Sequence, residues 1–369
     1  MSPTPGGSGE PPLFAVILAG GIGTRLWPRS RRRRPKQLLD IVNRRTMLQN
    51  TVDRVQPLIP PERTFVVTGA EYVAQVREQL PQLPPDNVLV EPVGHGTAPC
   101  IGLAAVALSH LAPQGVMVSL HADHVIADAP RFRDLLLAAA DMARLGRMVT
   151  LGIQPTYPET GYGYIERGRF VRRSRGEPVY KVVRFLEKPP AEQAAEFVRD
   201  GHHYWNSGLF IWRVDTILQA IQQWLPNLYA QLMLISEAWG TPEQDAVLNR
   251  VWPATESISI DVGIMEKATD IVVVPAQIGW SDIGSWASLA DIMDANHEGN
   301  VILGDSEHLS LDTRNSLIYA PGRVIATIGL TDTIVVDTGD VLLICTKSRA
   351  QDVRQFVEKL RSAGRHDLL

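Results

Sequence analysis

The chain has 369 residues, 45% of them hydrophobic and 21% charged, with a formal net charge of −4. That balance suits a folded protein of more than one domain and excludes a general attraction to nucleic acid or anionic lipid. No apolar run approaches the ~18 residues of a membrane span, and two cysteines, Cys100 and Cys345, are too few for a disulfide framework and point to a reducing cytoplasm.

Residues 1–12 (MSPTPGGSGEPP) are rich in Pro, Gly and Ser and lack an apolar core, so a disordered tail is expected there rather than a signal peptide. The stretch 14–39, FAVILAGGIGTRLWPRSRRRRPKQLL, follows. Its continuous apolar start predicts a strand buried on both faces. Ala19, Gly20, Gly21 and Gly23 come next, and a glycine turn can aim successive backbone N–H groups at an anion. Arg25 and Lys36 then stand in loops marked by Pro28 and Pro35. A strand, a glycine turn and two fixed cations suit a polyphosphate. The P-loop pattern is not met, and the dinucleotide G-x-G-x-x-G fails because Leu26 stands where its third glycine would be. Between the two cations, the run from Arg29 to Arg34 reads either as a solvated loop or as extra pull on a polyanion.

Farther along, helical spacing of apolar residues predicts a helix over 47–55; helices are also expected over 71–80, 130–145 and, small and apolar throughout, 97–111, with strands over 64–68, 87–90, 115–120 and 148–152. This alternation predicts an α/β fold with a mostly parallel sheet. Ligands of such sheets sit outside the carboxyl ends of the strands, where the glycine turn and the HADH motif at 121–124 both fall. From residue 160 the texture changes. Antiparallel strands are expected over 162–169 and 179–186, a helix over 191–198, and a strand over 205–212 entered through a turn. Broken helix at 214–250, a strand at 271–275 and a loop at 279–286 complete this part. After about residue 299, short strands at VILG, SLIYA, RVIATIG, TIVVDTG and DVLLICT dominate, with a closing helix over 347–363 and no evident internal repeat. The expected division is a catalytic domain at 13–298 and a small β-rich C-terminal domain at 299–369.

Several polar residues stand out. Asp123 in HADH is placed to bind Mg2+ or to cap a helix. Asp282 in GWSDIGSW reads as a second metal carboxylate or as an Asx turn between two tryptophans. Lys188 in FLEKP reads as a cation for a second phosphate or as a solvated lysine, with Pro189 fixing its exit. Glu187 and Asn206 are good hydroxyl readers and hint at a sugar. Gly161 and Gly163 would let backbone approach a ring.

The pattern GGxGTRLxP-x6-PKxLL, spelled by Gly20, Gly21, Gly23, Thr24, Arg25, Leu26, Pro28, Pro35, Lys36, Leu38 and Leu39, resembles the signature of the sugar-phosphate nucleotidyltransferases. FLEKP, WNSGLFIW, SIDVGIMEK and GWSDIGSW, in this order, resemble the mannose-1-phosphate guanylyltransferase branch, and the likeness spans roughly 14–365. The resemblance implies a Rossmann-like mixed, mostly parallel sheet of the nucleotide-diphospho-sugar transferase type. It implies transfer of GMP from GTP to mannose 1-phosphate, with Mg2+ (Mn2+ as the alternative) on Asp123 and Asp282. It assigns Ala19, Gly20, Gly21, Gly23, Thr24, Glu91, Thr97 and Ala98 to the nucleotide. Arg25 and Lys36 fall to the triphosphate, Lys188 to the sugar phosphate, and Gly163, Glu187, Asn206 and Asp261 to the sugar side. The chain departs from the family at His95-Gly96, where members usually carry Arg-Asn before Thr-Ala-Pro. Some relatives carry a further cupin-type isomerase domain, which is not expected in a chain ending at Leu369.

The implied reaction needs no general base, because the attacking phosphate oxygen is already anionic, and no covalent intermediate. The work is positioning and charge. Two rivals stay open: the same chemistry on another NTP and sugar 1-phosphate, and a catalytically silent sugar-nucleotide sensor. No nucleic-acid or membrane partner is expected. A homodimer through the C-terminal strands is expected from edges that need covering.

Overall fold

A computed structural model describes residues 10–21 and 23–369, so most of the expected N-terminal tail, residues 1–9, lies outside the described residues. The chain divides into two compact units.

The first unit takes the chain up to Gly20, then Val52–His121 and Ala127–Trp280. Strands β1 (Leu13–Leu18), β2 (Thr64–Gly69), β3 (Val88–Glu91) and β4 (Val116–His121) run parallel, with β1 central and all six of its residues buried. Burial on both faces is why the sequence shows continuous apolar runs rather than alternation. After β5 (Val125–Ile126), a two-residue strand that belongs to the second unit, come β6 (Met148–Ile153), β7 (Tyr164–Ser174), β8 (Glu177–Leu186), β9 (His203–Arg213) and β10 (Ile271–Ala276). The sheet order is β3-β2-β1-β4-β9-β6-β10-β8-β7. It is the expected mixed, mostly parallel sheet, with β9 inserted antiparallel between β4 and β6. The helix Thr97–Leu111 has no polar face and is buried from Ala98 to Leu108, because it packs between the sheet and the helices Val214–Trp224 and Pro226–Glu237.

One local expectation changes. The turn placed before the strand at WNSG lies inside β9 as a bulge, where the β6 register slips between Thr150 and Gly152. Side chains hold the bulge. Ser207 Oγ donates to Leu151 O at 2.6 Å, and Asn206 Oδ1 accepts from Gly208 N at 3.1 Å. A bulge re-aims side chains beside it, here Asn206.

The second unit takes Gly21–Thr51, Ala122–Ile126 and Ser281–Leu369. Its C-terminal part alternates between two small sheets. Val301–Leu303, Leu317–Tyr319 and Thr333–Asp337 stack in parallel and Leu342–Thr346 closes them antiparallel; Glu307–Leu311 pairs in parallel with Val324–Ile328. Glu307–Leu311 is a strand beyond those expected, in a stretch that is mostly exposed and weakly apolar. The region expected as a loop at 279–286 ends in a helix, Trp286–Ala290, opened by a Ser285–Ser288 capping box. The apolar core joins Leu26, Trp27, Leu39 and Met47 from the glycine-turn stretch to Trp286, Leu317, Ile334 and Val353. Trp286 is fully buried and its Nε1 donates to Trp27 O at 3.0 Å. Among the described residues no helix is long and apolar enough to cross a membrane.

Candidate active site

Most of the singled-out residues gather in three groups, two in the first unit and one in the second. The first lies at the carboxyl ends of β1 and β3. Ala19 N donates to Val67 O at 2.8 Å and Thr68 Oγ1 donates to Ala19 O at 3.1 Å, which fixes the chain as it leaves β1. Gly20 follows so close to Glu91 that a Cβ there would stand 2.7 Å from Glu91 Oε1. Glu91 is only 4% exposed, and its Oε2 has no hydrogen-bond partner among the described residues. Burial pushes its carboxyl up to about 7. A buried acceptor without a donor is costly, so this oxygen calls for donors from outside the unit.

The loop after Glu91 is stitched to the segment before Asp261. Ile258 N donates to His95 O at 2.9 Å, Ala98 N to Ile258 O at 3.1 Å, and Ile260 N to Thr97 Oγ1 at 2.8 Å. The hydroxyl of Thr97 is thus an acceptor inside the protein. Trp252 Nε1 also ties down Val93 O at 2.7 Å. The His95-Gly96 departure sits inside this stitched loop, where His95 packs edge-on against Trp252.

The second group is Gly163, Glu187, Lys188, Asn206 and Asp261. Asn206 N donates to Gly163 O at 2.8 Å and Asn206 Nδ2 to Asp261 Oδ1 at 2.7 Å. A Cβ at position 163 would fall 2.6 Å from Glu187 Oε2, so glycine is required there by close approach. Glu187 accepts from Lys188 Nζ. Burial, chiefly, pushes the Asp261 carboxyl up, against the pull of Asn206. Trp205 holds Tyr157 and Tyr162 edge-on at centroid distances of 4.9 and 5.3 Å, and Tyr162 meets Trp280 at 5.3 Å. These rings form an apolar wall next to Gly163 and Asn206 in the chain. Sequence reasoning passed over His121, whose Nε2 lies 2.8 Å from where a Gly208 Cβ would be. Only the β9 bulge, with Gly208 at φ 67°, brings that strand against it.

The third group is in the second unit. Lys36 opens a short 3-10 turn, Lys36–Leu38, behind Pro35, and is 5% exposed. Its Nζ donates to Asp123 Oδ2 at 2.9 Å and to the main-chain oxygen of Asp282. Gly23 has φ 72°, and a Cβ there would lie 2.5 Å from Lys36 Cβ. Glycine is needed both for the left-handed backbone and for the space. Thr24–Leu26 continues as a 3-10 turn that carries Arg25. Arg25 Nη1 reaches Gln351 Oε1 at 3.5 Å. A Cβ at Gly284 would be 3.1 Å from Asp282 Oδ2 and 3.3 Å from Arg25 Nη1, so both side chains border that glycine. Gly21 has open space around its α-carbon. Two cations and two acidic residues on rigid turns suit a polyphosphate with a divalent cation.

A glycine turn at the carboxyl end of a mostly parallel sheet, a buried carboxylate with one oxygen lacking a donor among the described residues and a lysine bracketed by two aspartates suit a phosphate-handling α/β enzyme. The family model described as nucleotidyl transferase matches residues 14–299, and that of the mannose phosphate isomerase/GMP-like β-helix domain matches 306–360. The mannose-1-phosphate guanylyltransferase of Escherichia coli K12 is 39% identical over 363 residues, 96% of this chain and 75% of that protein. The ManC guanylyltransferase of Salmonella typhimurium is 40% identical, over 96% of this chain and 74% of the relative. A crystal structure from Thermus thermophilus, described as a mannose-1-phosphate geranyltransferase, superposes with a TM-score of 0.85 at 35% identity, over 95% of this chain and 99% of the other. The chain belongs to the nucleotidyl transferase family, in the branch of the mannose-1-phosphate guanylyltransferases.

Proposed function

We propose that this chain transfers GMP from GTP to mannose 1-phosphate, releasing pyrophosphate and forming GDP-mannose. The observation that carries the base assignment is Glu91. Guanine presents two adjacent donors, N1–H and the N2 amino group, and an ionised carboxylate is acceptor-only. Glu91 Oε2 is buried and lacks a donor among the described residues. Thr97 and Ala98 shape the loop beside it, and Ala19, Gly20, Gly21, Gly23 and Thr24 supply main-chain contacts to the nucleotide. On the sugar side, Asn206, Asp261, Glu187 and the backbone at Gly163 read hydroxyls, and Lys188 neutralises the sugar phosphate.

The step is an in-line displacement. A phosphate oxygen of mannose 1-phosphate forms a bond to the α-phosphorus, the bond from that phosphorus to the bridging oxygen breaks, and the electron pair leaves on pyrophosphate. Arg25 and Lys36 meet the charge of the leaving group, Arg25 with a planar fork and Lys36 as a point charge. Asp123 and Asp282 would hold Mg2+, with Mn2+ as the alternative; Asp123 already balances one cation through the Lys36 ammonium, and carboxylate oxygens are the donors these hard ions take. When bound, the ion supplies charge neutralisation at the phosphates. We assign the reaction to the cytoplasm, in keeping with two free cysteines.

The test is pyrophosphate release with GTP, ATP, UTP, CTP and dTTP against mannose 1-phosphate and glucose 1-phosphate. Turnover confined largely to GTP with mannose 1-phosphate is expected; a preference for another pair would move the specificity, and none at all would leave a sensor. Lys188→Ala should raise the KM for mannose 1-phosphate far more than that for GTP, and equal rises would remove Lys188 from the sugar phosphate. Glu91 offers both oxygens as acceptors to the two guanine donors only when ionised, so the KM for GTP should fall as pH rises through about 7. Glu91→Gln should abolish that dependence and weaken GTP by about 10–100-fold, the ~1.5–3 kcal/mol of hydrogen bonds to a charged group. A flat wild-type profile would count against the assignment.

A homodimer through the C-terminal strands completes the proposal. Leu309, Leu311, Val324 and Ile328 on the paired strands are each more than half exposed, an apolar row that a partner would cover. Ile328→Glu should shift light-scattering mass from dimer to monomer; a wild-type monomer at all concentrations would end this part.

A further inference from the structure

Between Glu91 and the helix Thr97–Leu111 the chain reads Pro-Val-Gly-His-Gly, and its backbone is sharply specified. Gly96 has φ 87° and ψ −177°, a conformation essentially reserved for glycine. A Cβ there would also stand 2.8 Å from Ile258 O. Both constraints serve one arrangement. Ile258 clasps Gly96 and Thr97 between two main-chain hydrogen bonds, its N donating to His95 O at 2.9 Å and its O accepting from Ala98 N at 3.1 Å. Trp252 steadies the loop by donating to Val93 O and packing edge-on against His95.

One side chain completes this seam. Thr97 Oγ1 accepts from Ile260 N at 2.8 Å. Ile260 is 2% exposed, so its N–H depends on a protein acceptor. The next residue is Asp261, which opens a five-residue π turn, Asp261–Met265, and accepts from Asn206 Nδ2 at 2.7 Å. Such turns are frequent at functional sites. Behind Asp261, Ile264 and Met265 are buried in the apolar core of the first unit. Asp261 therefore stands between a core anchor and the Thr97 hydroxyl. By its place in the sequence Thr97 falls to the nucleotide, yet its hydroxyl is spent on the segment that leads into Asp261. We propose that Thr97 is a positioning residue for the acceptor sugar: through Ile260 it holds Asp261 where that carboxylate and Asn206 read a hydroxyl together, on the reading above that places both on the sugar side. Misplacing a positioning group by about 1 Å costs up to ~10²-fold in rate, so a main-chain shift too small to unfold the unit is enough.

Thr97→Val keeps the shape of the side chain and removes the acceptor; Thr97→Ser keeps the acceptor. In steady-state kinetics on the full chain, Thr97→Val should lower kcat/KM for mannose 1-phosphate about tenfold and change the KM for GTP less than about twofold. Thr97→Ser should stay near wild type. If Thr97 acts through Asp261, the losses do not add, so Thr97→Val should cost less than about twofold more in an Asp261→Ala background. A full second loss there would overturn the proposal. So would a rise in the KM for GTP as large as the effect on mannose 1-phosphate, no change for either substrate, or a Thr97→Ser variant as impaired as Thr97→Val. Asp261→Ala by itself tests the sugar-side reading: a loss there with none in Thr97→Val overturns the proposal and leaves that reading standing, and no loss there removes both. If wild type prefers another nucleotide or sugar 1-phosphate, the ratio of variant to wild type on the preferred pair decides; in a wild type without turnover, calorimetric dissociation constants take the place of KM. Thermal melts keep the comparison to folded protein. Should Thr97→Val unfold at the assay temperature, Thr97→Cys, a weaker acceptor, replaces it in the same ratios.

Discussion

Lys36→Met should lower kcat by about 10²–10³-fold, the scale set by removing one preorganised electrostatic contact from a reacting centre. Lys36 is 5% exposed and its ammonium serves Asp123 Oδ2 and the Asp282 carbonyl together. Methionine keeps most of the volume and the packing against Gly23 but removes the charge. In the proposed site, two acidic side chains would then meet the polyphosphate with one cation fewer, so repulsion should fall mainly on the transition state, where charge builds on the leaving group. There is also a structural cost. Asp123 loses the Lys36 contact, but its side chain is 35% exposed and water can take over part of that role. The melting temperature should therefore move little while turnover collapses. Steady-state kinetics and a thermal melt on the same preparation separate the two. Turnover near wild type would show that Lys36 is a structural clamp for Asp123 and Asp282 and nothing more.

Trp286→Ala should be the most destabilising single change in the second unit, by about 3–5 kcal/mol. Trp286 is among the largest fully buried side chains; its ring stacks near Tyr319 at a centroid distance of 6.3 Å, and its Nε1 satisfies Trp27 O at 3.0 Å. Truncation leaves a cavity in the core that Trp286 shares with Leu26, Leu39, Leu317 and Ile334, and takes the Nε1 donor from the Trp27 carbonyl. Trp27 lies between Arg25 and the run from Arg29 to Arg34, so activity should fall at temperatures where the first unit is still folded. Two compact units make a single unfolding transition an unsafe assumption. The measurement is therefore a urea titration followed by fluorescence and by far-UV circular dichroism. An early fluorescence transition that leaves most of the helix signal intact is expected. Trp286→Phe, which keeps an aromatic ring, should lose less. A midpoint unchanged from wild type would mean that this core closes around the gap.

Amino-acid order alone determined the α/β character of the first unit, because buried parallel strands need continuous apolar runs and the helices between them need 3.6-residue spacing. The helix Met47–Val55 and the buried strands β1 and β2 were legible for that reason, and Thr97–Leu111 by a small, apolar run too long for a strand. The glycine-turn stretch was legible because few backbones tolerate that density of glycine and proline between an apolar strand and two fixed cations. Tertiary structure decided what depends on residues far apart in the chain. Lys36, Asp123 and Asp282 come together only through the packing of three separate segments into one unit. That packing is set by Leu26, Trp27 and Leu39 against Trp286 and the C-terminal strands, and side-chain shape carries no periodic signal along a sequence. The compact units therefore cut across the expected linear division at 298/299. The bulge at Asn206–Gly208 is a register slip fixed by its β6 partner, so a local reading sees only a turn. The missing donor for Glu91 was equally out of reach, since an orphaned oxygen is defined by everything that does not surround it. Residue type and local order determine which elements form and what chemistry they can offer; the sum of nonlocal packing decides which offers meet.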